Sequence, residues 1–399
     1  MAVVVLTAMN LLNYVDRYVP SAVKDLFKRD LHLTDTQTSL PLSAFVIVYM
    51  LASPVFGALA DRVPRKQLIA AGVAFWSIAT AAAAAANVFW QLLLARAAVG
   101  IGEAAYATLA PSLISDYYPA WRRNRILTVF YVAIPVGSAI GFVVGGALGA
   151  HYGWRAAFLI CGLPGILAAL VVLLIKEPPR GQFDAPDRDT TTLSWAIALR
   201  KLRANALYVR TTLGYVAVTF ASGALADWLP TYLERHRGWS VTEATSLVGT
   251  AAVVGGLAGT TTGGFLADAL RRRMRLPLLG VSTLSMILAT AFALPALIAK
   301  DHAVIVACMF LAQFFLWFYN GPVNAILVNC TSPELRARAF SLSILSIHLF
   351  GDAVSPTIVG AVSDAASLPL AMALVPLMFG VGALVWGVAW RCLPESDAA

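Results

Sequence analysis

Four ionisable side chains interrupt stretches of sequence otherwise apolar enough to cross a bilayer. Asp16 and Arg17 lie in the run 2–23, and Arg96 and Glu103 lie in the run 88–118. A charge at membrane depth is costly and marks a functional candidate by default. Seven residues make nearly two helical turns, so Arg96 and Glu103 share a helix face about 10 Å apart. On the first helix Asn10, Tyr14 and Arg17 follow i, i+4, i+7 and form one polar stripe, with Asn13 on its flank. Asp16 lies about 100° round from Arg17. The chemistry open to this set is anion capture and proton exchange. Arginine stays charged when desolvated and can grip a phosphate with two hydrogen bonds. Arg17 and Arg96, with Tyr14 in the same stripe, are therefore the expected substrate ligands. Glu103, partnered by Asp16, is the expected proton carrier. Two acids and two bases can also neutralise one another as a purely structural network. Buried ion pairs are weak stabilisers, which favours the functional reading.

The second half of the chain carries fewer charges. His348 and Asp352 are four residues apart and can pair on one helix face. Whether His348 is held structurally or serves a ligand or a proton stays open on spacing alone. The run Phe314-Phe315-Leu316-Trp317-Phe318-Tyr319-Asn320 is rich in rings. Such a run is more often core or lipid-facing than a ligand wall. The contrast between a charged half and an aromatic half still suits an amphiphile with an ionic head and an oily tail. Asn320 and His348 join the expected substrate ligands.

The elements that must position these residues follow from composition. Of 399 residues 59% are hydrophobic and 13% charged, against about a quarter charged in soluble domains. Twelve apolar stretches have approximate limits 2–23, 38–60, 67–86, 88–118, 124–150, 155–175, 206–233, 241–268, 276–299, 302–330, 336–363 and 368–391. The expected fold is an all-α membrane protein of twelve transmembrane helices in two six-helix bundles. Residues 1–176 would form the first bundle and 206–399 the second. Residues 177–205 would form a cytoplasmic linker with a short amphipathic helix, Trp195 to Leu202. Twenty Lys and Arg fall in loops on one side and seven in loops on the other. This asymmetry predicts both termini in the cytoplasm. It also accounts for the net charge of +8 without nucleic acid. Residues 2–9 lack the basic start and cleavage site of a signal peptide. The first helix begins so close to Met1 that a short preceding segment is expected. The four cysteines are scattered, with no Cys-x-x-Cys pair, so neither a metal site nor a disulfide framework is suggested.

The halves echo each other. Gly57 to Asp61 closes the second stretch and Gly264 to Asp268 the eighth, while Ser39-Leu40 matches Ser246-Leu247 at the same spacing of 207. Gly57-x-x-x-Asp61-Arg62-x-x-Arg65-Lys66 resembles the signature loop of the major facilitator superfamily, with Pro64 in the region of the usual second glycine. A charge cluster of Asp61, Arg62, Arg65 and Asp268 would latch the cytoplasmic side, and Gly57 would let its helix approach a neighbour closely. Gly137, Gly141, Gly145 and Gly149, and likewise Gly255, Gly259 and Gly263, fall every four residues. Such stripes let helix backbones meet. In this superfamily the fifth and eighth helices face each other, so these glycines are expected in that contact.

Three further motifs resemble the spinster branch of that superfamily: Asn13-Tyr14-Val15-Asp16-Arg17-Tyr18, the segment Ala95-Arg96 to Glu103-Ala-Ala-Tyr106, and His348-Leu-Phe-Gly351-Asp352-Ala-Val-Ser355-Pro356. The resemblance spans nearly the whole chain. It implies a carrier of lysophospholipids or sphingosine-1-phosphate, with protons as the driving ion in bacterial members. It places the phosphate head near Arg17 and Arg96 and gives Glu103 and Asp16 the proton-linked role.

The leading expectation is a proton-coupled transporter of a lysophospholipid or similar amphiphilic anion, working by alternating access as a monomer in a bacterial inner membrane. It takes no cofactor. No Gly-x-x-x-x-Gly-Lys-[Ser/Thr] loop for ATP is present. One alternative is a carrier of small organic anions or hydrophobic drugs. An intramembrane lipid-modifying enzyme is a third reading, weakened by the lack of a His/Cys metal cluster or an activated serine.

Overall fold

The computed structural model describes residues 2–60, 62–179, 195–270, 273, 276–331 and 333–392. Among the described residues every regular element is a helix. Twelve helices or helix pairs correspond to the twelve apolar stretches. They are α1 (Ala2–Ala22), α2 (Asp35–Leu59), α3 (Arg65–Ala83), α4 (Phe89–Tyr117) and α5 (Ala120–Tyr152), then α6 in two pieces (Trp154–Gly162, Pro164–Leu173). The second set is α7 (Ala206–Arg237), α8 (Val241–Ala269), α9 (Pro277–Ile298), α10 (His302–Leu316 and Asn320–Asn329), α11 (Pro333–Ile347 and Ser355–Ala365) and α12 (Leu368–Met372, Leu374–Cys392). A short helix, Lys24–Asp30, follows α1, and a linker helix, Trp195–Ala204, precedes α7.

Nine described stretches are long and apolar enough to cross a membrane, and one of these, Val129–Leu173, runs through both α5 and α6. The two helices outside that set, α1 and α7, are the more polar ones. Polarity there is what a site inside a bundle requires.

Local sequence explains the boundaries. Thr34 and Gln37 form a reciprocal capping box that starts α2. Asp301 caps α10 by accepting from the Val304 amide. Gly153, at φ 82°, separates α5 from α6 in a left-handed conformation that a side chain would strain.

The chain divides into two compact units, Met1–Arg188 with Leu229–Gly249, and Asp189–Trp228 with Thr250–Ala399. The outer ends of α7 and α8, outer being the side opposite the basic loops, thus group with the first unit. In that unit α5 lies along α1. Cβ atoms at Gly137 and Gly141 would meet the backbone oxygens of Leu11 and Val15 at 2.7 Å each. In the second unit a Cβ at Gly259 would meet the Phe314 oxygen at 2.2 Å, and one at Gly263 the Phe318 oxygen at 2.3 Å.

Both glycine stripes therefore seat a helix inside its own bundle: α5 on α1, and α8 on α10. That corrects the expectation that they form the contact between α5 and α8. Within the first unit those two helices do meet, through different glycines. Gly146 abuts Thr245, and Gly249 abuts Ala139 and Phe142. The expected close approach at Gly57 is also absent, since a Cβ there would meet only a Thr108 methyl, at the ordinary contact distance of 3.9 Å. The tight contact of α2 is with Gly100 of α4, where a Cβ would lie 2.5 Å from the Phe45 oxygen.

Candidate functional site

The first unit brings Asp16, Arg17, Arg96 and Glu103 together. Asp16, Arg96 and Glu103 are buried at 2%, 1% and 1% exposure, and the Arg17 side chain keeps 21%. The packing of α1 on α4 aligns them. Tyr106, one turn beyond Glu103, donates to the Leu6 carbonyl at 2.5 Å, and Asn10 donates to the Phe130 carbonyl of α5 at 3.0 Å. These bonds fix the rotation of α1, which decides where Arg17 points.

Glu103 makes its ion pair with Arg17, not with Arg96 on its own helix. Arg17 Nε lies 3.8 Å from Glu103 Oε2. Arg96 feels both Glu103 and Asp16 electrostatically, but none of its three guanidinium nitrogens has a hydrogen-bond partner among the described residues. Asn13 lies near enough to Glu103 to interact with it, yet neither Glu103 oxygen nor the Asn13 amide nitrogen reaches hydrogen-bond geometry among the described residues. Asp16 accepts from Thr80 of α3 at 3.4 Å through one oxygen; Trp76 lies within interaction range, but the other oxygen has no partner at hydrogen-bond geometry among the described residues. A buried polar group without a partner costs about 1–3 kcal/mol, and more when charged. The cluster is close to charge-balanced yet short of hydrogen bonds among the described residues.

Two aromatic rings from α2 complete it. The Arg17 guanidinium lies over Phe45 at 4.8 Å, Tyr14 at 5.3 Å and Tyr49 at 5.4 Å, and the Arg96 guanidinium lies 5.3 Å from the Phe45 ring centre. Ring faces stabilise a desolvated cation without consuming its N–H donors. Tyr14 was expected here. Phe45 and Tyr49 were not, because nothing in the apolar α2 stretch distinguishes them from packing residues.

Asn320 and His348 belong to the second unit. His348 Nδ1 lies 2.9 and 3.1 Å from the two Asp352 oxygens, so the expected pair forms. It occupies a π-turn, His348–Asp352, in which Gly351 leaves helical geometry at φ −104°, ψ −106°. Asn320 follows a 3-10 turn, Trp317–Tyr319, and accepts from the Asn324 amide through its backbone oxygen at 2.7 Å. Asn324 and Asp352 both lie within interaction range of Tyr215. Two interrupted helices thus border one polar cluster, a recurrent feature of transporter sites. The rings of Phe314, Phe315 and Phe318 pack on one another, and Phe315 stacks on Phe292. They act as core.

Of the expected inner latch, Asp61 lies outside the described residues. Arg62 is exposed, and so is Asp268 at the end of α8. Arg65 is buried and bonds Asp116 at 2.6 Å, Ser112 at 3.0 Å and Glu177 at 3.2 Å, and Lys66 reaches the Leu173 and Ile175 carbonyls. Arg65 therefore ties the ends of α3, α4 and α6 together.

A second charge cluster lies at the outer end and escaped sequence reasoning. Arg235 of α7 clamps Asp25 through Nε and Nη2 and Asp35 through Nη1, with Nε and Nη1 bonds of 2.9 Å. Lys28 adds a bond to Asp35. Burial, and then the Asp25 charge, push neighbouring Glu234 up to about 7. The charges of the Lys24–Asp30 helix and of Asp35 are plain in the sequence, but their partner stands 200 and 210 positions away from Asp35 and Asp25.

Comparison with known proteins fits this arrangement. Residues 6–351 match the Major Facilitator Superfamily family model. Protein spinster homolog 1 of Xenopus tropicalis is 34% identical over 380 residues, covering 91% of this chain and 72% of the relative. The chain belongs to the spinster branch of the major facilitator superfamily. A sphingosine-1-phosphate transporter of Danio rerio is 32% identical over 381 residues, covering 90% of this chain and 75% of that one. Among solved structures, a bacterial homologue of the human lysosomal transporter Spinster, in an inward-facing and unoccupied conformation, aligns over 100% of this chain and 98% of its own. Its TM-score is 0.89 at 24% identity. This spinster chain is a multi-pass membrane transporter with the twelve-helix, two-bundle fold of its superfamily, and not an enzyme.

Proposed function

We propose that the chain is a proton-coupled transporter of a lysophospholipid or similar amphiphilic anion, working by alternating access. The observation that carries this reading is the buried Arg96 guanidinium, none of whose nitrogens has a hydrogen bond among the described residues, beside a partly exposed Arg17. Five N–H donors in a fixed fork match the oxygens of a phosphate head group. Rings flank the cations, so a head group can displace water without losing their support.

The proton step belongs to Glu103 with Asp16. Ionised Glu103 attracts Arg17 and Arg96 and so competes with an arriving anion. Protonated Glu103 releases them. Asp16 adds a second acid within electrostatic reach of Glu103. Proton uptake and anion capture are thereby linked through the same two guanidinium groups. The relative that transports sphingosine-1-phosphate supports a phosphorylated amphiphile as the substrate class. The charge asymmetry of the loops supports cytoplasmic termini, and a bacterial inner membrane is the proposed location. Asn320 and His348 would contact substrate from the second unit, and Arg65 with Arg62, Asp61 and Asp268 would form the inner latch. The transporter would act as a monomer.

The test is binding of lysophosphatidic acid to purified protein. Arg17→Ala and Arg96→Ala should each weaken it at least tenfold, and Lys at either position should restore it only in part. Unchanged affinity in both Ala variants would place the head group elsewhere.

A further inference from the structure

The linker helix Trp195–Ala204 is seated across the ends of three spanning helices of the second unit. Ala198 and Leu202 are buried, and Leu202 packs on Tyr208 at the start of α7, Leu327 near the end of α10 and Ala339 near the start of α11. Helix ends mark the level where hydrocarbon gives way to head groups. The linker helix therefore lies at that boundary.

Its other face is ordered. Ile197, Arg200 and Lys201 stand at i, i+3 and i+4, Arg203 adjoins them, and all four are exposed. No acid occurs in the helix. Trp195, at its start, is 58% exposed, and the Arg338 guanidinium of α11 lies 5.3 Å from its ring centre. The Arg338 Nη1 donor is buried without a hydrogen-bond partner among the described residues. Loop charges placed only to set topology need not share a face. Here Arg200 and Lys201 flank the exposed Ile197, Arg203 stands one turn from Arg200, and a Trp–Arg stack lies at the start of the helix. A short basic helix with apolar residues at the interface fits a leaflet of anionic lipid.

We infer that this helix binds the phosphate head groups of anionic phospholipids in the adjoining leaflet. Arg200 and Lys201 hold them with Arg203 at the flank, Ile197 meets the acyl chains between Arg200 and Lys201, and Trp195, stacked on Arg338, anchors the start of the helix at the interface. This site is separate from the transport cluster and does not depend on the substrate.

The experiment is thermal melting of the full chain in nanodiscs of phosphatidylcholine alone or mixed with phosphatidylglycerol. Phosphatidylglycerol should raise the melting temperature. R200Q/K201Q/R203Q should lose at least half of that rise, and W195A a smaller part. Equal melting of the wild type in both lipids overturns the inference, as does an undiminished rise in the triple variant. Glycerol phosphate in solution matching the lipid effect would overturn the assignment to a leaflet. Should the triple variant fail to fold, salt decides on the wild type alone: a rise that survives about 0.5 M NaCl, where surface charges are screened, also overturns it.

Discussion

Replacing Glu103 with Gln keeps the shape of the side chain and removes the charge that competes for the two arginines. Two unit charges 3.8 Å apart attract by about 4 kcal/mol at an effective dielectric near 20. In wild type an anion must offset that attraction before it can hold Arg17, and it must also draw Arg96 from the Glu103 field. In Glu103→Gln it need not. Part of the gain is lost because Arg17 is partly exposed and relaxes onto the Tyr14, Phe45 and Tyr49 rings. A gain of about 1.4 kcal/mol, or tenfold in Kd, is a conservative expectation. Lysophosphatidic acid should bind Glu103→Gln at least tenfold more tightly than wild type near pH 8. The ratio should shrink towards one as the pH falls and wild-type Glu103 takes up its proton. In proteoliposomes the variant should exchange substrate passively but should not concentrate it under a pH gradient. Equal affinities at every pH, together with wild-type accumulation under the gradient, would refute both the competition and the proton assignment.

Three further outcomes are expected. Arg235→Gln leaves Asp25 and Asp35, with side chains 3% and 6% exposed, without their main cation. Breaking a buried pair costs about 3–5 kcal/mol, and the lower end applies because Lys28 and Arg29 remain near. Hydrogen exchange over residues 229–237 should rise sharply, and unchanged protection would count against the clamp. Glu234 is held up at about 7, so ionising it costs the folded state stability. That cost is absent below about pH 4.5 and complete above about pH 7, roughly 3 kcal/mol at most. The groups facing it are Asp25, Arg29 and Arg235. Melting temperature should therefore fall as pH rises through this window in wild type, with a visibly flatter slope in Glu234→Gln; identical slopes would refute the reading. Gly141→Leu must push against the Val15 backbone, which a Cβ alone would meet at 2.7 Å. It should lower the melting temperature and the yield of folded protein, whereas Gly264→Ala, whose Cβ would meet nothing within 4 Å, should be tolerated. Equal melting of the two variants would contradict the packing.

Much of the molecule was legible because the bilayer imposes it. Backbone groups in hydrocarbon must bond within their own segment, so each long apolar run becomes a helix. Helical spacing then puts Asn10, Tyr14 and Arg17 on one face, sets Arg96 and Glu103 on another, and pairs His348 with Asp352. A charge inside such a run stands out against its neighbours, and so Asp16, Arg17, Arg96 and Glu103 could be named from the sequence.

Tertiary structure alone decided which face meets which. Spacing put Arg96 and Glu103 on one helix face, but side chains seven residues apart project from levels about 10 Å apart. The packed neighbour α1 brings Arg17 within 3.8 Å instead. Glycine periodicity showed that backbones would approach closely but not that the partners were α1 and α10. Phe45 and Tyr49 look like any apolar residues until α2 lays their rings against Arg17, and Arg235 finds Asp25 across 210 positions of chain. Local sequence fixes the periodicity of a helix, because hydrogen bonds four residues apart enforce it. The rotation and partner of each helix come from side-chain packing summed over the bundle, which no local window of sequence contains.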